Sequence, residues 1–439
     1  MTQIKGTVGV ATLGCKVNQY ESRAIEEALV ERGYTVCSHD ACCDAYIVNT
    51  CTVTAESDRK SRQLIRRLLT QNPEAYMIVT GCFAQADAEG AALAGVDAVC
   101  GNEQKMRAVQ ILDDLFAQGH KNVMAYTEVS DINRARCFEP MYITSFDRTR
   151  TYVKIEDGCD SHCTYCAIPG ARGPVRSKPL PEVLDQVRVL IDHGCAEIVL
   201  TGIETASWGK DLETGDLGDL LVAVDALDGI GRVRLGSLDP SLIKPRFVEK
   251  IASLPSLAPH FHLSLQSGCS RTLAAMKRKY NAQQAMAALT LLREHIPNVQ
   301  FTTDVIVGFP GETEEDFEQT LAFIRKAHFL QIHAFPYSGR KNTPAIRLPD
   351  QVPMQVRRER LHRLQEVQAD IRAQLLAQIL SQSPIKQVLF ETDYNGYAIG
   401  HTPEFLEVKV PTDAPLCGTT RTVRLERATD TVLEGVLTD

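Results

Sequence analysis

The stretch "IEDGCDSHCTYCAIPGARG", residues 155–173, places Cys159, Cys163 and Cys166 within eight positions. Three thiols cannot pair off completely into disulfides, and a structural zinc site takes four ligands. His162 is adjacent, but its place between Asp160 and Cys163 gives no typical zinc spacing. An iron–sulfur cube takes one thiolate per iron. Held by three thiolates, it keeps one iron open to a further ligand, so the Cx3Cx2C spacing points to a centre that binds something besides protein. Three more thiols, Cys15, Cys51 and Cys82, are dispersed at intervals of 36 and 31 residues, about one strand–helix unit each.

These thiols need elements to hold them. Residues 1–120 alternate apolar runs, "VGVATLGC", "DAYIVNTC", "YMIVTGC" and "VDAVCG", with helical stretches such as "YESRAIEEALVERG" and "ESDRKSRQLIRRLLTQ". Such alternation predicts a parallel sheet with helices on its faces. Cys15, Cys51 and Cys82 each close one run, at the carboxyl edge where such sheets place their sites. Any one of them reads plainly as a buried, inert cysteine. Three at equivalent strand ends read as one shared ligand set. Cys37, Cys42, Cys43 and Cys100 lack this regularity and read as core or incidental thiols.

Residues 121–148 show no clear periodicity and read as a connector. Over 149–352 the alternation resumes, with six strand candidates: "TYVKIEDGC", "EIVLTG", "RVRLGSL", "HFHLSLQSG", "QFTTDVIVGFP" and "QIHAFPYS". Six are too few for a closed eight-stranded barrel. A partial (β/α)6 barrel is expected, its active face at the carboxyl ends of the strands, where the three-cysteine loop follows the first. Residues 353–383 read as a helical linker between Pro353 and Pro384. From 384 to 439 the pattern turns to period two, a small antiparallel β domain. The fold class is α/β throughout the first two domains.

Composition sets limits. The chain has 439 residues, a formal net charge of −8 and fourteen cysteines. In a reducing compartment so many cysteines are metal ligands or reactive thiols rather than disulfides. The acidic balance argues against indiscriminate polyanion binding. "RKSRQLIRRLL" and "KRKY" (Lys277, Arg278, Lys279) read as solvated helix faces. The carboxy-terminal domain carries five Lys/Arg against nine Asp/Glu, which weakens any claim that it grips RNA by charge. No uninterrupted apolar run of membrane-spanning length appears, and the start lacks the apolar core of a signal peptide. The expected location is the cytoplasm, with no membrane partner.

The three-cysteine loop after the first strand of a partial barrel resembles the radical S-adenosylmethionine (SAM) superfamily. "TLGCKVNQYES", "VNTCTVTAESDRKSR" and "VTGCFAQ", followed by "IEDGCDSHCTYCAIPGARGPVRS", "HLSLQSGCSRTLAAMKRKY" and "TDVIVGFPGETEEDFEQT", are similar in order to the methylthiotransferases of that superfamily, and the tail to their TRAM domain. The resemblance implies two 4Fe–4S clusters: a SAM-cleaving one on Cys159, Cys163 and Cys166, and an auxiliary one on Cys15, Cys51 and Cys82 that serves sulfur transfer. It implies SAM as methyl donor and radical source, and an electron-donor protein such as flavodoxin or ferredoxin. The sulfur donor is not indicated. "HAFPYSGRKNTPA" and "HLSLQSGCSRTL" are most similar to enzymes acting on N6-threonylcarbamoyladenosine next to the tRNA anticodon, so the implied partner is the anticodon stem-loop and the product a methylthio group at C2 of adenine. Relatives act on isopentenyladenosine or on a ribosomal-protein aspartate. A non-catalytic iron–sulfur electron carrier and a zinc-holding RNA-binding protein are the readings of other classes. The chain departs from the subfamily at Glu204, where His or Asn is expected, and at Asp160 and His162.

Other residues have two readings each. Ser264 and Gln266 share a face at period two and could contact SAM from the barrel interior, or form a polar core pair. Gly308 and Gly311 could let backbone approach the cofactor, or make a strand-to-helix turn in which Thr313 and Asp316 form a capping box. Arg172 and Arg176 could bind a carboxylate or phosphate, or form a surface ion pair. Trp208 reads as core. Phe335, Tyr337 and Arg340 are the candidates for substrate contact.

Overall fold

The computed structural model describes residues 5–146, 149–213, 215–382 and 384–438. The ends of the connector (147–148) and of the helical linker (383), and the first four residues of the supposed leaderless start, lie outside the described residues. The chain forms two compact units. One comprises residues 1–144, 154–178 and 338–343, the other residues 145–153, 179–337 and 344–439.

The first unit is built on a six-stranded sheet: β1 (Thr7–Thr12), β2 (Thr35–Cys37), β3 (Ala45–Thr50), β4 (Tyr76–Gly81), β5 (Ala98–Cys100) and β6 (Tyr126–Glu128). Its order is β2-β1-β3-β4-β5-β6, and every pair is parallel. Helix α1 (Lys16–Glu31) and helix Arg107–Gln118 cover one face, where Ile25, Leu29, Leu112 and Leu115 pack on Val8, Val10, Ile47 and Ile78. Helix α2 (Ala55–Gln71) covers the other, where Ile65 and Leu68 pack among Ala11, Tyr46, Val48 and Val79. Alternate residues of β1 and β3 thus face opposite layers, and the central strands are apolar throughout because both faces are covered. The edge strands β2 and β6 have three residues each and were not readable from pattern; β6 falls inside the supposed connector.

The chain then runs through β7 (Arg150–Lys154) of the second unit and back to the first, where β8 (Glu156–Asp157) and β9 (Arg176–Ser177) pair antiparallel and bracket the three-cysteine loop.

The second unit continues with β10 (Glu197–Thr201), β11 (Arg232–Leu235), β12 (Ser237–Leu238), β13 (His260–Gln266), β14 (Gln300–Val307) and β15 (Gln331–Pro336). They form two sheets, β11-β10-β7 and β12-β13-β14-β15. Only Gly236 separates β11 from β12, so the six staves expected from sequence follow in order as an open barrel. A buried charge cluster ties the first three staves. Glu197 of β10 accepts from Arg234 at 2.7 Å and Arg232 at 3.0 Å, and Arg150 stands 3.6 Å away. Burial opposes its charge, but the three guanidinium groups prevail and hold its carboxyl down to about 2.

Helix Met354–Gln382 is a packing element as well as a connection. Leu364 and Ile371 join Val305, Val307 and Phe317, and Leu376 enters the core of the last domain. That domain is a closed barrel of β16 (Ile385–Tyr394), β17 (Tyr397–His401), β18 (Glu407–Pro411), β19 (Thr420–Ala428) and β20 (Leu433–Leu437), ordered β16-β17-β18-β20-β19. All neighbours are antiparallel except β18 and β20, which are parallel. The sheet is therefore mixed rather than wholly antiparallel; that parallel pair completes the closure that removes free edges. Among the described residues, no helix is long and apolar enough to cross a membrane.

Candidate iron–sulfur and substrate site

Strand order locates the first triad. In a β2-β1-β3-β4-β5 sheet the connections leave β1 and β3 in opposite directions, and ligands bind beyond the carboxyl ends at that point. Cys15 follows β1, Cys51 follows β3 and Cys82 follows β4. The register aligns them. Thr12 is level with Asn49, and Thr50 with Gly81. Two glycines make the approach close. A Cβ on Gly14 would stand 2.9 Å from Cys51 Sγ; one on Gly81 would stand 2.7 Å from Asn49 Oδ1 and closer still to the Thr50 backbone. Both have φ near +100°, conformations side chains rarely adopt. Gly81→Ala should therefore cost about 2 kcal/mol or more through overpacking and strain. A lowered apo melting temperature checks this, and an unchanged one refutes it.

The three thiols sense one another. Burial raises the pKa of Cys51, and the charges of Cys82 and Cys15 add to the rise. Cys51 and Cys82 are buried whereas Cys15 is solvent-accessible, so the set is walled by protein and open on Cys15's side. In position, Cys15 is the N-cap of α1, and Cys82 is the first residue of α3 (Cys82–Ala86).

One residue that sequence reading placed elsewhere completes this site. Arg172 is not a surface ion-pair partner; it is fully buried. Its Nε donates to Cys82 Sγ at 3.2 Å, one Nη to Glu21 at 2.6 Å, and the other to Asn18 Oδ1 at 2.5 Å. Glu21 also binds Lys105 and, at 2.7 Å, Lys154, which reaches Asp157 at 2.6 Å. Arg176 is buried too, 3.5 Å from Asp157, with Arg172 and Pro174 carbonyls accepting from it. The legible signal was Glu21: a charge inside the buried stripe of α1, among Val17, Ala24 and Ile25.

The second triad lies in the loop between β8 and helix Ile168–Arg172. Cys163 is buried; Cys159 and Cys166 are half-buried. Cys159 N–H donates to the Gly173 carbonyl at 2.9 Å, and Ser161 N–H points at Cys159 Sγ at 3.4 Å. Gly158, with φ +86°, has the Pro174 carbonyl where a Cβ would stand. Asp160 keeps a structural task, its Oδ1 accepting from Val175 N–H at 3.1 Å. His162 is exposed, its ring 2.9 Å from the Asp160 carbonyl, apart from any four-ligand set.

No disulfide joins any of the fourteen cysteines, and Cys37 and Cys43 bring their sulfurs to 2.7 Å of each other. Among the described residues no three His, Cys, Asp or Glu side chains converge on a single ion. A cube takes one thiolate per iron, so its ligands stand apart from each other rather than around a point. Two all-thiol triads suit two such cubes.

The other candidates divide. Ser264 is half-buried and its carbonyl accepts from Arg278 and Tyr280 at 2.9 and 2.7 Å. Gln266 is buried but does not continue the period: the register slips between Leu263 and Gln266, and Gln266 has φ +69°. Such strain persists only where the surroundings impose it. Gly308 is committed within the protein. Its N–H donates to Glu312 at 2.8 Å, and Arg357 fills the space a Cβ would take. Gly311 has open space. Thr313 and Asp316 form the capping box. Trp208 and Tyr337 are core, Phe335 is exposed, and Arg340 binds Thr52 Oγ1 at 2.6 Å and Asp58 at 2.7 Å beside Cys51. Arg278 turns inward to Asp239 at 2.9 Å rather than lying on a solvated face.

Known proteins match this architecture. The model of the "Radical SAM superfamily" matches residues 153–324 and that of "Uncharacterized protein family UPF0004" residues 7–101. The chain is 39% identical to the threonylcarbamoyladenosine tRNA methylthiotransferase MtaB of Bacillus subtilis, over 92% of this chain and 90% of that protein. It is 38% identical to MtaB of Thermotoga maritima over 90% and 91%. It is 32% identical to the tRNA-2-methylthio-N(6)-dimethylallyladenosine synthase of Aquifex aeolicus over 98% of both. Among solved structures, the radical SAM methyltransferase TsrM of Kitasatospora setae aligns with a TM-score of 0.55 at 14% identity, covering 87% of this chain and 80% of that one, which is a likeness of fold.

Proposed function

This chain belongs to the radical SAM methylthiotransferase family, and from that premise we propose that its substrate is tRNA bearing N6-threonylcarbamoyladenosine next to the anticodon, which it methylthiolates at C2 of the adenine. The observation that carries the chemistry is the pair of all-thiol triads within one compact unit. The substrate follows that of the relatives at 38–39% identity, which act on threonylcarbamoyladenosine in tRNA. An enzyme of this family uses SAM and two 4Fe–4S clusters. When bound, they supply one-electron cleavage of SAM and sulfur for transfer, chemistry that no protein side chain offers at an inert aromatic C–H bond.

The residues divide the work. Cys159, Cys163 and Cys166 hold the cluster at which SAM binds. Cys15, Cys51 and Cys82 hold the auxiliary one, with the opening beside Cys15 left for a visiting molecule. Arg172 directs a hydrogen bond at Cys82 and fixes the orientation of that ligand. Ser264 and Gln266, at the carboxyl end of β13, are the barrel residues that contact SAM; Gly308 is not retained, since its N–H and its open face are already occupied. Electrons come from a flavodoxin or ferredoxin, and the enzyme works in the cytoplasm, where tRNA is.

The test is nucleoside mass spectrometry of tRNA from cells lacking the gene. Methylthiolated threonylcarbamoyladenosine is expected to vanish and return on complementation. Its persistence, with loss of the methylthiolated isopentenyl nucleoside instead, would assign the chain to the other tRNA substrate.

A further inference from the structure

Glu204, one of the positions where the sequence departs from its resemblance, lines a recess of about 340 Å³ in the second unit. The recess is built on the loops after consecutive staves: Glu204 and Lys210 follow β10, Lys244 and Arg246 follow β12, and Lys279 follows β13. This is the carboxyl-terminal edge, where α/β barrels hold substrate. Its charges do not balance. Asp216 is taken by Lys250 at 2.9 Å, and Asp239 by Arg278 at 2.9 Å. Lys210 donates to Ser207 Oγ at 2.7 Å. Lys244, Arg246 and Lys279 are exposed and form no ion pair among the described residues. Burial, with Asp239 adding to it, raises the Glu204 carboxyl to about 7 against the pull of Arg278, Lys279 and Lys210, so near neutrality it carries only part of a charge. The recess is left with a surplus of cations. A neighbouring recess of about 820 Å³ shares Ser241, Lys244 and Lys279 with it, which gives room beside the cationic corner for a bulkier group.

We propose that this recess is an anion-binding subsite in which Lys244, Arg246 and Lys279 read the threonyl carboxylate of the substrate nucleoside. The inference rests on the substrate reading above. A threonylcarbamoyl group carries a carboxylate; a dimethylallyl group carries no charge and would gain nothing from three cations. The subsite is therefore a specificity determinant between the two nucleosides, and it acts by charge-assisted hydrogen bonds. A tRNA phosphate shares the anionic chemistry and would be drawn to the same cations, so the experiment must separate the two sources.

The experiment uses the anaerobically reconstituted holoenzyme and its Lys244→Met, Arg246→Met and Lys279→Met variants, singly and together. Exposed and unpaired, these residues can be changed without disturbing the core. The readouts are tRNA-free SAM cleavage, kcat/KM for the tRNA bearing the threonylcarbamoyl group, and binding affinity for that tRNA and for the same tRNA without the group. Expected is a loss of about 10–100-fold for the modified tRNA, little change for the unmodified one, and unchanged SAM cleavage. An equal loss for both tRNAs, with a shallower salt dependence, would assign the cations to phosphate and overturn the proposal. So would full retention of the preference in the triple variant. Failure of the wild-type enzyme to act on the modified tRNA, with activity on the isopentenyl form, would overturn the substrate reading itself.

Discussion

Alanine at Cys159, Cys163 or Cys166 is expected to abolish both SAM cleavage and methylthiolated product, whereas alanine at Cys15, Cys51 or Cys82 abolishes the product and leaves SAM cleavage measurable. Each variant should lose about half the iron of the wild type, because one cube of two is lost. A three-thiolate site has no spare ligand. His162, the histidine inside the three-cysteine loop, is exposed, with its ring nitrogen at the Asp160 carbonyl. Cys100 is the informative control. It ends β5 much as Cys82 follows β4, yet it packs in the core against Ala108, Val109 and Leu112, and burial raises its thiol to about 12. Cys100→Ala should keep full iron and activity. Iron analysis with deoxyadenosine and product assays reads all of these. Full iron after Cys51→Ala, or iron loss after Cys100→Ala, would show that the ligand set is drawn wrongly.

That contrast explains how much was readable beforehand. The dispersed triad could be found because a parallel strand and its helix take a nearly constant length of chain, so thiols one unit apart recur at one sheet edge. Cys100 lies within its strand, level with Thr80, whereas Cys82 lies two residues further on, past the end of β4 and at the start of α3, and no local pattern separates the two positions. The six staves and the strands of the last domain were legible from their apolar periods and the long helix from its polar, proline-bounded composition, whereas the closure of the last domain through a parallel pair was not. Edge strands of three residues carry no period at all. The face shared by Ser264 and Gln266 failed because a register slip breaks period two, and nothing local in "HLSLQSG" announces a slip. Arg172 was read as either a carboxylate-binding or a surface residue; it does bind carboxylates, but which ones was hidden for a deeper reason. Arginine is almost never buried without partners, and its partners here come from α1, β8 and α3, segments up to 154 residues away that no local pattern connects.

The largest effect on stability is expected at that network. Glu21→Gln keeps the shape of the side chain and removes the charge on which Arg172, Lys105 and Lys154 converge. Breaking one partner of a buried set costs about 3–5 kcal/mol, since the remaining charges stay desolvated without compensation. For a unit of this size that lowers the melting temperature by on the order of 10 °C. The pH response has a definite sign. Burial opposes the ionisation of Glu21 and Asp157, but Arg172 and its neighbouring cations outweigh it, leaving Glu21 well below the ordinary range and Asp157 at about 2. Groups depressed on folding stabilise the protein fully above their unfolded pKa, about 4, and lose that contribution as pH falls through the folded value. The wild type should thus hold its apo stability down to about pH 4 and lose it steeply below. Glu21→Gln should start lower and fall less. Adding Arg172→Met to Glu21→Gln removes a cation along with its anion and should restore part of the stability. It also removes the donor to Cys82, so stability and the auxiliary-cluster spectrum should part company: the double variant melts higher than the single one yet differs from wild type in the spectrum. Thermal melts across pH 3–7 check the first claim. A single variant that melts with the wild type would mean that the ions gain no more from one another than they lose by leaving water.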